Sequence, residues 1–512
     1  MSKKGEDVNK GHKHLFGTSE KSDFILNMTA DGAQKMCGVY SIAALLIIAV
    51  AAIPAYFTQT VSEYVMDDGQ KHYLSENFIF YAGAAVMLAG FVGLLVFMIA
   101  CSKKQVSIKD NKALICVLLI MLVSAAGCIT AVNLYSSLLG YLGRHEGLIT
   151  VIGYWGLFCV AMSVTAENRR IRLSDLIVGI GFVQSAAAIL QIVPATAPAM
   201  KNFFEYLYVR PGTSPEAAGE IFYEGGVSEI SGIYTEKAAA SGFATSPYAL
   251  AAIVSVAFAF ALAGAAFDDS KKRRIIYGAA SPFMAAAACL TKVLPGVIGI
   301  CAGAVIVLAF AAVRSFAKGS QSRSPIAVAA VLTVCAGVAA GALFGTGTAG
   351  FSDEEVIFTD GYVMRSITPY GREDHEKGIY SYLRDDALYV AGQNPVLGVG
   401  CDNQPYVFSK YGTVTDRFYN EYLDMAASRG WICLALYAVF LLISVFRAVK
   451  AFRQFISKGG SWIAAAAPAG AAAYLIQAFF NTTWVNSTPY LYVALGLIWS
   501  FGAVKDAGIK DK

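Results

Sequence analysis

Apolar residues run almost unbroken through twelve stretches of the chain, at about 36–57, 79–100, 113–139, 147–164, 174–193, 245–267, 275–291, 294–313, 325–345, 430–446, 461–480 and 488–504. Each is close to the roughly 20 residues that a helix needs to cross the hydrocarbon of a bilayer. The pattern predicts an all-α polytopic membrane protein of about 12 transmembrane helices, with a large, partly helical extracytoplasmic loop between helices 9 and 10. The expected parts are a disordered basic tail at 1–35, helices 1–9 over 36–345, a loop domain at 346–429, helices 10–12 over 430–504 and a short tail at 505–512. The first apolar stretch starts too late and runs too long for a cleavable signal peptide.

Two connections stand out by length, about 194–244 and 346–429, and loops of that size tend to carry function. Within the second, Leu383, Ala387, Val390 and Ala391 recur at helical spacing over 378–390, which predicts an amphipathic helix ending at Gly392. Asn394-Pro395 stops it, and Val396-Leu397-Gly398-Val399-Gly400 reads as a strand or tight turn whose glycines permit positive φ. A second helix is expected from about Thr415 to Gly430, with the tenth span entered at Trp431.

Composition agrees with the pattern, at 56% apolar and 15% charged residues and a mean hydropathy of +0.54. A soluble two-domain enzyme, a disordered chain and a collagen-like chain are excluded. The net charge of +4 gains meaning only when sorted by side. With the N-terminus inside, 27 of 40 Lys and Arg but only 12 of 36 Asp and Glu fall in inside segments, so the inside carries +15 and the outside −11. That asymmetry predicts a multi-pass plasma (inner) membrane protein with both termini cytoplasmic. All charges fall in tails, loops or span edges, which weighs against the intramembrane relays of coupled carriers.

Of ten cysteines, nearly all lie in or beside apolar spans and only Cys401 sits in a long outside loop, so no external disulfide framework is expected. The five histidines form no metal-ligand spacing with them. No nucleotide-binding loop or nucleic-acid pattern appears, and the reading carries no metal and no cofactor. Asn481-Thr-Thr and Asn486-Ser-Thr fit glycosylation sequons, while Trp484 and Tyr490 read as markers of the membrane interface.

Asn394-Pro-Val-Leu-Gly-Val-Gly-Cys-Asp-Asn403, then Asp416-Arg-Phe-Tyr-Asn-Glu-Tyr-Leu423, then Ala427-Ser-Arg-Gly-Trp431 together resemble the O-antigen ligase family, which also holds O-antigen polymerases. Gly242-Phe-Ala-Thr-Ser-Pro-Tyr-Ala-Leu-Ala251 and Tyr474-Leu-Ile-Gln-Ala-Phe-Phe480 extend the likeness, over about 230–500. The resemblance implies a membrane glycosyltransferase that moves a glycan from a polyprenyl-diphosphate carrier to an acceptor hydroxyl on glycan, lipid or protein, outside the membrane. Such a site needs cations for the leaving diphosphate and a base for the acceptor proton.

The chain departs from the family pattern at three charges. Tyr419 stands where the family has His, Thr291-Lys292 replaces a Ser-Arg, and Ala replaces an Arg before the middle span, leaving Lys237 as the nearest cation. Candidate diphosphate holders are Lys237, Lys292, Arg365, Arg372, Arg384, Arg417 and Arg429, with Arg384 and Arg417 foremost because they fall on the two expected loop helices. Candidate catalytic residues are Glu421 and Asp416, which flank Tyr419, then His375 and Tyr419 itself. A phenol with an ordinary pKa of about 10 is a poor base unless cations lower it, and its plain alternative is an interfacial anchor. Two other readings stand beside the enzyme: a non-catalytic relative that binds lipid-linked glycan or scaffolds envelope assembly, and a transporter or flippase.

Overall fold

The computed structural model describes residues 28–51, 61–65, 71–75, 80–103, 112–141, 144–192, 240–244, 246–291, 293–318, 328, 330, 332, 357–359, 362–364, 379–407 and 417–501. These are mostly helical: α1 (Ala30–Ala51), α2 (Phe80–Ser102), α3 (Lys112–Ile129), α4 (Leu134–Leu139), α5 (Leu148–Met162), α6 (Glu167–Ile192), α7 (Pro247–Phe267), α8 (Lys271–Leu290), α9 (Leu294–Lys318), α10 (Ile379–Gln393), α11 (Glu421–Lys458), α12 (Ile463–Gln477) and α13 (Thr488–Ser500). Two antiparallel hairpins pair Val61–Val65 with Lys71–Ser75 and Ile357–Thr359 with Tyr362–Met364.

Seven helices, α1, α2, α6, α7, α9, α11 and α12 with its 3-10 extension, are long and apolar enough to cross a membrane, and α3 and α5 are shorter apolar helices. Large apolar side chains point outward along them, among them Leu88, Phe316, Leu442 and Phe446, as lipid-facing positions do. This is the architecture of a multi-pass membrane protein. The expected ninth span, 325–345, lies largely outside the described residues. The stretch 113–139 is broken rather than continuous, because α3 ends at Ile129 and Asn133 caps α4 by accepting from the Ser136 amide at 3.1 Å.

At the centre stands α7, with every residue from Pro247 to Phe267 buried. Ser246 caps its start by accepting from the Tyr248 amide at 3.2 Å, with Pro247 in the first turn where its missing N–H costs nothing. Small residues bring other helices equally close. A Cβ on Gly90 of α2 would lie 2.1 Å from the Gly153 Cα of α5, and one on Gly156 would lie 2.1 Å from the Gly90 carbonyl, the close approach that glycine permits between membrane helices.

The loop helix α10 forms as the apolar spacing predicts, and Leu383, Ala387, Val390 and Ala391 are all buried. It packs on Val399, Phe418, Ala426 and Ala427. The second expected helix starts at Glu421, six residues later than Thr415. Tyr419 adopts φ +48° and Asn420 caps α11 by accepting from the Leu423 amide at 3.1 Å, so helical geometry cannot extend back through 419.

Gly430 interrupts α11 with φ +81° and ψ +163°, a kink where the turn 395–400 docks. The Trp431 amide donates to the Pro395 carbonyl, the Val399 amide to Ala427 and the Gly400 amide to Ser428, each at 2.9 Å. The turn thus supplies partners for backbone groups that the kink frees. A Cβ at Gly430 would stand 2.1 Å from the Val396 carbonyl, and one at Gly398 would stand 2.4 Å from the Ser428 carbonyl carbon. Both glycines have positive φ and neither site has room for a side chain.

Candidate functional site

Beside this kink, where α3 ends and α5, α7, α11 and α13 begin, a set of charged side chains is buried. Arg144, on the α4–α5 loop, is its hub. Its Nε lies 2.7 Å from Asp402 Oδ1, and its NH2 group lies 3.1 Å from Glu146 Oε2 and 3.0 Å from Asp424 Oδ2. Asp402, two residues past the docked turn, holds φ +55° and accepts from the Tyr141 amide at 2.7 Å and the Glu146 amide at 3.1 Å. One carboxylate thus fixes both the arginine and the backbone of the loop that carries it.

Further polar groups close the cluster. Asp424, in the first turn of α11, accepts from Gln404 Nε2 and Thr482 Oγ1, each at 2.9 Å. Glu146 accepts from Thr483 Oγ1 at 2.7 Å and from the Tyr154 hydroxyl at 3.3 Å. Arg417 donates to the Thr483 carbonyl at 2.9 Å, lies 3.9 Å from Glu146 Oε2 and stacks its guanidinium 3.9 Å above the Trp484 ring. Its side chain is only 1% exposed, and the cation–π contact offsets part of its lost hydration.

Glu421 and Arg429 face the same small cavity of about 30 Å³ as Arg144, Glu146, Asp402 and Asp424, space for one or two water molecules. Glu421 Oε2 has no hydrogen-bond partner among the described residues. Three arginines (144, 417, 429) thus face four carboxylates (146, 402, 421, 424) in one buried group. Burial pushes the carboxyls of Asp402 and Glu146 above their ordinary range, and the pull of Arg144 in the opposite direction does not cancel it. A cavity of this size has no room for a diphosphate, so a large ligand requires movement of the walls.

Three of the sequence candidates come together here: Glu421, Arg417 and Arg429. Tyr419 is buried at 2% exposure, with its ring 4.8 Å from that of Tyr248 on α7, so it packs in the core rather than anchoring at the interface. Arg384 lies apart on α10, with its side chain 59% exposed and 3.4 Å from Asp385. Asp416, His375, Arg365, Arg372, Lys292 and Lys237 lie outside the described residues.

Arg144, Glu146 and Asp424 were not singled out by the sequence. The one signal was Gly143-Arg-His-Glu-Gly147, three titratable residues between glycines in a short connection between two apolar stretches. Trp484 and Tyr490 are buried core residues rather than interface markers. Asn481 donates to Gln477 Oε1 and to the Tyr248 carbonyl, and Asn486 donates to the Ala244 carbonyl. Both sequon asparagines are buried, so neither is open to glycosylation in this fold.

No protein-family model matches the chain, and no curated protein matches it.

Proposed function

We propose that the protein is a metal-independent membrane glycosyltransferase of the O-antigen ligase or polymerase type, with twelve spans and both termini cytoplasmic in the plasma membrane. In this reading it transfers a glycan from a polyprenyl-diphosphate carrier to an acceptor hydroxyl of a glycan, lipid or protein on the outer face. The observation that carries the reading is the buried arginine–carboxylate group built where the Pro-Val-Leu-Gly turn meets the start of α11, the segments on which the family resemblance rests.

The lipid-linked donor reaches the bundle sideways from the bilayer, and Arg384, the exposed cation on α10, meets its diphosphate first. Arg417 and Arg429 hold charge deeper in the group, and Lys237, Lys292 and Arg372 complete the set of cations. Glu421, whose Oε2 has no hydrogen-bond partner among the described residues and which lines the cavity, accepts the acceptor proton in place of the missing histidine. Asp416 and His375 are the remaining candidates for that role. As the acceptor oxygen bonds to the anomeric carbon, the bond to the diphosphate breaks and its electron pair leaves with the phosphate.

The test is product formation by purified protein in liposomes supplied with a polyprenyl-diphosphate glycan and an acceptor glycan. Transfer supports the reading, and a preparation that binds the donor but never forms the new bond sinks it. That second outcome fits the non-catalytic binding or scaffold reading, which one observation favours: each arginine of the buried group already faces carboxylates. Movement of donor across the bilayer without bond formation would instead mark a flippase.

A further inference from the structure

Cys401 directly follows the docked turn, between Gly400 and Asp402. Its side chain shares a buried apolar cluster with Leu148 and with Cys128, in the last turn of α3. The backbone on either side of this pair is pinned. The Asn133 amide donates to Asn403 Oδ1 at 2.7 Å, and Asn403 Nδ2 returns to the Asn133 carbonyl at 3.2 Å. The hydroxyls of Ser136 and Tyr406 lie 2.8 Å apart, and Cys128 Sγ reaches the Ser137 carbonyl at 3.5 Å. A Cβ on Gly400 would stand 2.4 Å from that of Ala131.

The end of α3 and the turn are thus held in one register, with two free, buried cysteines in the same apolar cluster across it. In the sequence Cys401 looked solitary, because its neighbour belongs to the end of a span. The charge asymmetry puts this end of the bundle outside, where thiols are oxidised. We propose that Cys128 and Cys401 are a covalent cross-link site, joined as a cystine in the matured protein.

The chemistry is thiol–disulfide exchange with the disulfide of an oxidoreductase or small thiol. One cysteine, as thiolate, attacks that disulfide and releases one of its sulfurs as a thiol. The second cysteine then attacks the mixed disulfide, forming the Cys128–Cys401 bond and releasing the other sulfur. Two electrons pass to the exchange partner, which leaves as two thiols, taking up the two protons that the cysteines lose.

In the seated turn both thiols are buried, at 3% and 2% exposure. Exchange therefore precedes the seating of the turn, and the cystine then fixes the backbone beside Asp402.

The experiment maps thiols in the full chain, purified in detergent without reductant and exposed to oxidised glutathione while partly opened with mild denaturant. The protein is then unfolded with N-ethylmaleimide, digested and analysed by mass spectrometry with and without reduction. The expected result is a linked peptide pair holding residues 128 and 401 as the major form, resolved into two peptides by a phosphine, with Cys433 of the neighbouring α11 alkylated. Recovery of both cysteines as alkylated monomers after the glutathione step overturns the proposal, and so does a dominant Cys401–Cys433 link. In Cys401→Ser the pair must vanish and Cys128 must become alkylated, but the wild-type map decides the matter even where that variant folds poorly.

Discussion

Replacing Arg144 by alanine tests the buried group most directly. The side chain is 3% exposed and pairs with three carboxylates at 2.7–3.1 Å. Its removal leaves Asp402, Asp424 and Glu146 buried with much of their charge uncompensated, a situation that costs about 3–5 kcal/mol for a broken buried pair. Arg144→Ala should therefore lower the thermal midpoint in detergent by several degrees and reduce the monodisperse yield. Arg144→Lys keeps the charge but loses the planar fork that reaches several carboxylates at once, so its loss should be intermediate. The decisive comparison is Arg144→Ala with Asp402→Asn, which removes one orphaned charge and should recover part of the loss, a coupling on the order of 1–3 kcal/mol. The assay is fluorescence-monitored unfolding of five proteins side by side: wild type, Arg144→Ala, Arg144→Lys, Asp402→Asn and the double variant. Equal midpoints for wild type, Arg144→Ala and Arg144→Lys, or strict additivity in the double variant, would refute the reasoning.

Gly430→Ala and Gly398→Ala should each abolish stable expression or cost more than about 3 kcal/mol, since the added carbon would meet backbone at 2.1 and 2.4 Å at positive φ. Gly392→Ala, with nothing within 4 Å, should be neutral by the same yield and melting measurements. Asn420→Ala removes the cap of α11 and should lower stability by about 1 kcal/mol, read as a small shift in the melting midpoint. In a liposome transfer assay Arg384→Ala should reduce turnover with an unchanged melting midpoint, whereas Arg417→Ala should reduce both, because Arg417 is buried against Trp484 and Thr483. Burial raises the Glu146 carboxyl in the folded state, so its contribution is fully present below its unfolded value near 4.5 and is lost as pH rises through the folded value. Wild type should thus lose stability over that window relative to Glu146→Gln, and parallel pH–stability curves would refute it.

Much of the frame was legible in the chain. Seven of the apolar stretches match helices long and apolar enough to cross a membrane, because a helix in lipid satisfies its backbone internally, leaving side-chain hydropathy as the dominant signal. The periodicity at Leu383, Ala387, Val390 and Ala391 foretold a buried face for the same reason that any amphipathic helix shows one. The glycines at 398, 400 and 430 could be read as places of unusual backbone, but not as three parts of one joint, since their contacts join turn and kink through backbone atoms that composition does not encode.

The site was legible only in part. Glu421 and Arg417 stood out because they lie in a recognisable segment, whereas Arg144 and Glu146 sit in a loop some 280 residues from Asp424. Nothing local tells a paired buried arginine from a solvated one. The late start of α11 was missed because Thr415–Tyr419 keeps apolar spacing, while the Asn420 cap and the left-handed Tyr419 decide the boundary. The sequons and Trp484 misled for a related reason: short motifs report residue type, and burial is a property of the assembled bundle.

The enclosed position of α7 bears on how the chain is made. The helix meets α6, α8, α9, α12 and α13, and α12 is synthesised some two hundred residues after it. Until α12 and α13 arrive, the flank that holds Val256 and Phe260, which pack on Gly470 of α12, faces acyl chains instead of protein, so the newborn bundle stays open on that side. Closure of the central post, and with it the setting of Asn481 against the Tyr248 carbonyl, is a late act of biogenesis, and truncations that stop short of α12 leave the middle of the molecule unfinished however many spans precede it.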